Sequence, residues 1–296
     1  MKRIAVLAGF SVLAACGGGG RDVIQTPTVV ATPVPVSGWP AGTVVQLVNA
    51  ATGEAVAGEL NVGGVTVPSG GRLAASVAAG VTVDVTVDGF LPRQTTVRTG
   101  VATIGLWPWN AYLSDAYTHA LVYQWGDTEY PLYRLPPKTR TVAITGEFAQ
   151  IEDAVALVNE VTTRHGVTFA WGGAADLTVP VRVDPTATTC QQERVRAYAS
   201  FWSTNHEITR AEIVVCHPAN AVTQTIAHEM GHVFGLSHSS DQRDLMGPWY
   251  GVRRGSFSER EAMVIGLMMQ RRGGNVWPDN DRTATTSGTR RIDVLD

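Results

Sequence analysis

His228-Glu229-Met230-Gly231-His232-Val233-Phe234-Gly235-Leu236-Ser237-His238, the stretch HEMGHVFGLSH, decides how the rest of this 296-residue chain is read. Residues four apart on an α-helix lie on one face, one turn above the other, so the imidazoles of His228 and His232 can reach a single ion. Gly235 is expected to stop the helix. A left-handed backbone is cheap only for glycine, and the sharp exit brings His238 round as a third nitrogen donor. Three protein nitrogens leave one position of a tetrahedral ion open, as in catalytic zinc sites; structural sites close all four, usually with cysteine. Glu229 is not needed as a ligand and stands where a general base would serve an ion-activated water. Five fixed positions match by chance about once in three million starts, which sets aside an accidental HExxH on an ordinary helix. The expected cofactor is one catalytic Zn2+.

After His238 the chain reads SSDQRDLMGPWYG. HExxHxxGxxH followed by a methionine turn resembles the metzincin pattern. Ser239 directly after the third histidine, Met246, and Pro248-Trp249-Tyr250 resemble the matrixin branch, with its HS…LMxPxY run. The resemblance implies a zinc metalloendopeptidase with His228, His232 and His238 as ligands and Glu229 as general base. It also implies that Met246 forms a hydrophobic floor under the metal, and that Pro248, Trp249 and Tyr250 line the pocket for the side chain after the scissile bond. The sequence departs from the family at Asp244 and Gly247, where a small residue and a tyrosine are usual. The competing reading is a non-catalytic surface lipoprotein that binds a partner or glycan and keeps a vestigial zinc site. The intact ligand set argues against it.

The N-terminus carries Met1-Lys2-Arg3, then an apolar run from Ile4 to Leu13 too short to span a bilayer. Leu13-Ala14-Ala15-Cys16 resembles a bacterial lipoprotein signal, which implies removal of residues 1–15 and acylation of Cys16. The protein is then expected in the cell envelope, lipid-anchored and facing the periplasm or the exterior, or released from there. Gly17 in place of aspartate favours the outer membrane where one exists. A net charge of −3 without basic bias excludes nucleic acid as a partner; a protein or peptide substrate and a monomer are expected. With Cys16 lipidated, Cys190 and Cys216 remain as a candidate disulfide in a compartment where disulfides persist.

Residues 16–40 read as a tether: Gly17 to Gly20, then a Thr/Pro/Val stretch. Over residues 41–107, short β-branched runs such as GELNV, VTVDVTV and ATIGLW alternate with turn residues, predicting a small antiparallel sandwich. Its turn chemistry resembles carboxypeptidase-regulatory or PEGA-type accessory domains. Residues 108–138 are rich in tryptophan and tyrosine and are read as a connector whose rings pack one domain on another. Residues 139–272 are expected to form an α+β, metzincin-like catalytic domain: TVAIT as a strand, a helix from Gln150 to His165, four further strands, the zinc helix Ala221 to Phe234, and a final helix from Phe257 to Arg271 capped by Ser258. A charged His165 would suit the end of its helix. The strand before the zinc helix, Val195 to Trp202, is expected as a free edge that pairs with an extended substrate. Residues 273–296 read as a polar, mobile tail. No Asp/His-rich loop supports a second zinc ion, His206 and His217 notwithstanding, and nothing points to structural calcium.

Overall fold

The computed structural model describes residues 38–110, 113–125, 128–192, 194–248, 255–281 and 290–295. The expected leader, Cys16, most of the tether, Trp249 and Tyr250 lie outside them. The described residues fall in one compact unit. No helix among them is long and apolar enough to cross a membrane.

The first stretch contains strands only: β1 (Gly38–Trp39), β2 (Gln46–Asn49), β3 (Glu59–Val62), β4 (Val65–Pro68), β5 (Val77–Ala78), β6 (Thr82–Val85), β7 (Arg93–Thr96) and β8 (Thr103–Leu106). Strands β4-β3-β6-β7 form an antiparallel sheet, while β2 pairs with β8 and β1 with β5. Alternation turns Leu60 and Val62, and Val83 and Val85, to one face, where they join Val45, Leu47, Ile104 and Leu106 in one apolar cluster. The all-antiparallel expectation fails at β2 and β8, which run parallel with Gln46 opposite Thr103. The chain from β3 to β7 serves as the long crossover such a pair needs.

The aromatic stretch is more than a connector. It folds as α1 (Asp115–Tyr123) and a hairpin of β9 (Gln124–Trp125) with β10 (Thr128–Glu129). Ser114 caps α1 by accepting from the Tyr117 N–H. Trp107, Tyr123 and Tyr133 are fully buried, so these rings fill the core.

The rest is an α+β arrangement: β11 (Thr141–Thr145), α2 (Gln150–Thr162), β12 (Thr168–Trp171), β13 (Leu177–Val183), β14 (Ala197–Thr204), β15 (Glu207–Val215), α3 (Thr223–Phe234), α4 (Glu259–Met269) and β16 (Arg290–Leu295). The sheet order is β12-β11-β13-β15-β14-β16. The first four of these strands are parallel; β14 is antiparallel to both β15 and β16. Ile151, Ala154, Val155, Val158 and Val161 give α2 one buried stripe, which packs beside α3. Cys190 and Cys216 form a disulfide, Cα atoms 5.2 Å apart, that ties the loop after β13 to the end of β15.

Three expectations fail here. The strand expected as a free substrate edge is covered, because β16 pairs along it from Ser203↔Arg290 to Tyr198↔Leu295. The region after residue 273 is not simply a mobile tail: Asn275, Asp279 and Asp281 are buried, and the 279–281 segment adds to β7, with the Gln94 N–H donating to the Asp279 carbonyl and the Asp281 N–H to the Gln94 carbonyl. Their polarity is matched by Arg93, which donates to Asp279 and Asp281, and by Arg271, which donates to Asp279. Finally, burial and then Arg164 lower the pKa of His165, whose ring packs against Gly266 of α4. It serves packing rather than the helix dipole.

Candidate metal centre

α3 exists because an apolar stripe faces the sheet and glycine ends it. Gly235 has φ +109°, and a Cβ there would meet the Tyr133 carbonyl oxygen at 2.3 Å, so both backbone and space require glycine. The Gly235 and Leu236 N–H groups donate back to His232 and Gly231 carbonyls, closing the helix end. The exit is then pinned from outside: the Ser237 N–H donates to the Leu121 carbonyl at 2.8 Å, and its hydroxyl donates to the Gln124 carbonyl. The α1–β9 segment therefore aims His238.

One donor nitrogen from each of His228, His232 and His238 lies within 4.8 Å of the others. His228 and His232 are fully buried and His238 is half-buried, so the cluster opens towards its third member. His228 Nδ1 donates to the Leu245 carbonyl at 2.6 Å, and His232 Nδ1 to the Leu236 carbonyl at 2.8 Å. A carbonyl only accepts, so each Nδ1 carries the proton and each Nε2 presents a lone pair. Those two Nε2 atoms face each other at 3.0 Å. Two lone pairs at that distance repel unless a cation sits between them. A tetrahedral zinc with bonds of about 2.0–2.1 Å sets its nitrogens about 3.3 Å apart, so the donor set fits that ion. Among the described residues no other His, Cys, Asp and Glu group of this kind occurs. His206 is buried against Tyr133, and His217 accepts from the Ala219 N–H. Glu229 is fully buried on α3.

Met246 packs directly on the helix: a Cβ at Gly231 would meet its Sδ at 2.3 Å. Its loop is held by residues whose part in it has no local sequence signature. Glu261 accepts from the Leu245, Met246 and Ser258 N–H groups. Burial pushes the Glu261 carboxyl up to about 7, against the pull of those donors. Asp244, one of the two family departures, accepts from the Tyr117 hydroxyl at 2.6 Å and the Ser239 hydroxyl at 2.8 Å, bracing the loop from within. At Gly247, the other departure, a Cβ would strike the Asp241 and Gln242 carbonyls, so a tyrosine does not fit this loop. Trp125 was read only as part of the aromatic stretch. Its ring lies 6.1 Å from that of His232 and 5.5 Å from that of Phe201 on β14, which makes it a wall of the site. Its partners are close only in space, and no spacing rule could have found them. Pro248 is half-buried beyond the loop.

Among solved structures, a GH20 exo β-N-acetylglucosaminidase from Vibrio harveyi in complex with N-acetylglucosamine matches at 15% identity over 57% of this chain and 26% of its own, with a TM-score of 0.21. This chain thus spans about a quarter of that structure, and so low a score carries no argument. No curated protein matches the sequence. The family Peptidase_M10 (Matrixin) matches residues 185–262, a span that holds β14, β15, α3, all three histidines, Glu229 and Met246. Residues 185–262 are therefore similar to a matrixin metalloprotease domain.

Proposed function

We propose that the chain is a zinc-dependent metalloendopeptidase with His228, His232 and His238 as its ligands and Glu229 as general base. The observation that carries this is the pair of Nδ1 protons fixed by the Leu245 and Leu236 carbonyls, which leaves facing nitrogen lone pairs beside a third, more open imidazole. Zinc, when bound, polarises a peptide carbonyl and acidifies water. Glu229 takes the proton of the attacking water and passes it to the departing amine. The histidines must stay neutral to hold the metal, so acid releases it. Pro248, Trp249 and Tyr250 are proposed to line the pocket after the cut.

The test is hydrolysis of casein or a broad peptide library by zinc-loaded protein. Chelation should abolish it. Glu229→Gln should keep the metal and lose at least about 100-fold in rate, the lower end of general-base contributions. Hydrolysis that survives this change removes Glu229 from the role; folded, zinc-loaded protein that cleaves nothing, both intact and ending at Asp281, removes the peptidase reading. From the Leu13–Cys16 pattern we further propose anchoring by acylation of Cys16, checked by the mass of the mature N-terminal peptide and its loss in Cys16→Ser.

A further inference from the structure

We propose that β16 is a built-in occluder of the metal site, a stand-in for substrate paired along the outer edge of β14, the peptide rail expected from the sequence. This rests on the peptidase reading. An extended peptide binds a sheet by adding a strand to an edge whose N–H and C=O groups are unpaired. β14 is paired by β15 on one side; on the other, all of Tyr198 to Ser203 is taken by Leu295 to Arg290. That edge belongs to the metal site by contact: Phe201 of β14 meets Trp125, and Trp125 meets His232. Ile292 lies directly opposite Phe201, and Val294 opposite Ala199. Both pack into the apolar cluster that contains α3 and Met246, on the side of the sheet where the histidines sit. On the other face Arg291 stacks over Trp202 at 5.0 Å and donates to the Ser200 hydroxyl at 3.3 Å.

The occupant also states what the rail accepts. β16 runs antiparallel to β14, from its Ser203 end to its Tyr198 end, with apolar side chains at alternate positions, Ile292 and Val294, which a competing peptide must match. Because β16 is covalently joined to the rest, it competes at an effective concentration on the order of millimolar. A free peptide must displace it, so the intact chain is self-occluded.

The experiment compares the zinc-loaded full chain with its Ile292→Asn/Val294→Asn variant on quenched extended peptides. The variant should gain at least tenfold in kcat/KM, mainly through KM. A synthetic peptide of residues 290–296 should return it competitively to the parent rate. Equal rates in parent and variant, together with no inhibition by the peptide, overturn the proposal. Should the double variant fail to fold, a chain ending at Asp281 takes its place under the same two criteria. Should no form hydrolyse anything, the peptidase reading has failed, and binding decides the rail: labelled 290–296 peptide bound by the variant and displaced by an unrelated extended apolar peptide supports a shared peptide edge, while no binding or no displacement overturns it.

Discussion

At the scale of single residues, the site depends on glycines as much as on histidines. Gly231 sits between the two buried histidines of α3, with Met246 against its backbone. Alanine there would gain about 1 kcal/mol in helix propensity over glycine. Its Cβ would also overlap Met246, a fully buried side chain with little room to retreat, and overpacking of that kind costs about 1–3 kcal/mol. We expect the clash to win: Gly231→Ala should lower the thermal midpoint of the metal-free protein and weaken zinc binding, both read by calorimetry. A raised midpoint would mean that Met246 gives way and is no rigid floor. The convergence of the three histidines and the stop at Gly235 were legible in the sequence because helix geometry converts spacing into direction. Glu261 is, in the sequence, one of two acidic residues in the first turn of the last helix. Its task in the loop of Met246, fifteen residues earlier, has no local signature.

At the scale of elements, that carboxylate is both a cap and a clamp. Ser258 and Glu261 form a capping box at the start of α4, and the same Glu261 holds the Leu245–Met246 backbone. Its pKa rises from 4.5 to about 7 on folding, first through burial. A raised acid favours the native state while protonated, so this contribution is full below pH 4.5 and is lost as pH rises through about 7. At 1.36 kcal/mol per pH unit it amounts to about 3 kcal/mol at most. Urea unfolding between pH 4.5 and 8 should show the decline, and Glu261→Gln should flatten it; an unchanged slope would assign the dependence elsewhere. The disulfide is the second device at this scale. It closes a separation of 26 residues, and loop-closure entropy gives about 3–4 kcal/mol for its removal. Cys190→Ala/Cys216→Ala should lower stability by that order while leaving zinc stoichiometry intact. The helices and parallel strands of this half were readable from their periodicity. β16 was not, since six residues, Arg290 to Leu295, are too few for a pattern to outweigh their polar neighbours.

At the scale of the whole molecule, the strand-rich stretch and the histidine-bearing half meet through buried charge. Arg93 on β7 donates to Asp279 and Asp281, Arg271 donates to Asp279 and to the Gly105 carbonyl, and Asn275 joins both carboxylates to the Tyr123 hydroxyl. Burial opposes ionisation of Asp281, yet Arg93, Asn275, Arg271 and Arg98 together hold its pKa below the usual carboxylate range. Its contribution is therefore present above about pH 3.8 and lost as acid protonates the folded form. Removing one member of such a buried set costs about 3–5 kcal/mol, because the remaining charges stay dry and uncompensated. Arg93→Ala should show this loss in chemical denaturation with little dependence on salt; a change under 1 kcal/mol would mean that water already reaches the cluster. None of this was visible in the sequence, where Asp279 and Asp281 stand 186 and 188 positions from their arginine and read as solvated. Excising the half that follows residue 107 would thus strip Arg93 from two interior anions. The amino-terminal strands are not a detachable passenger but the counterion supply of the half that carries the histidines.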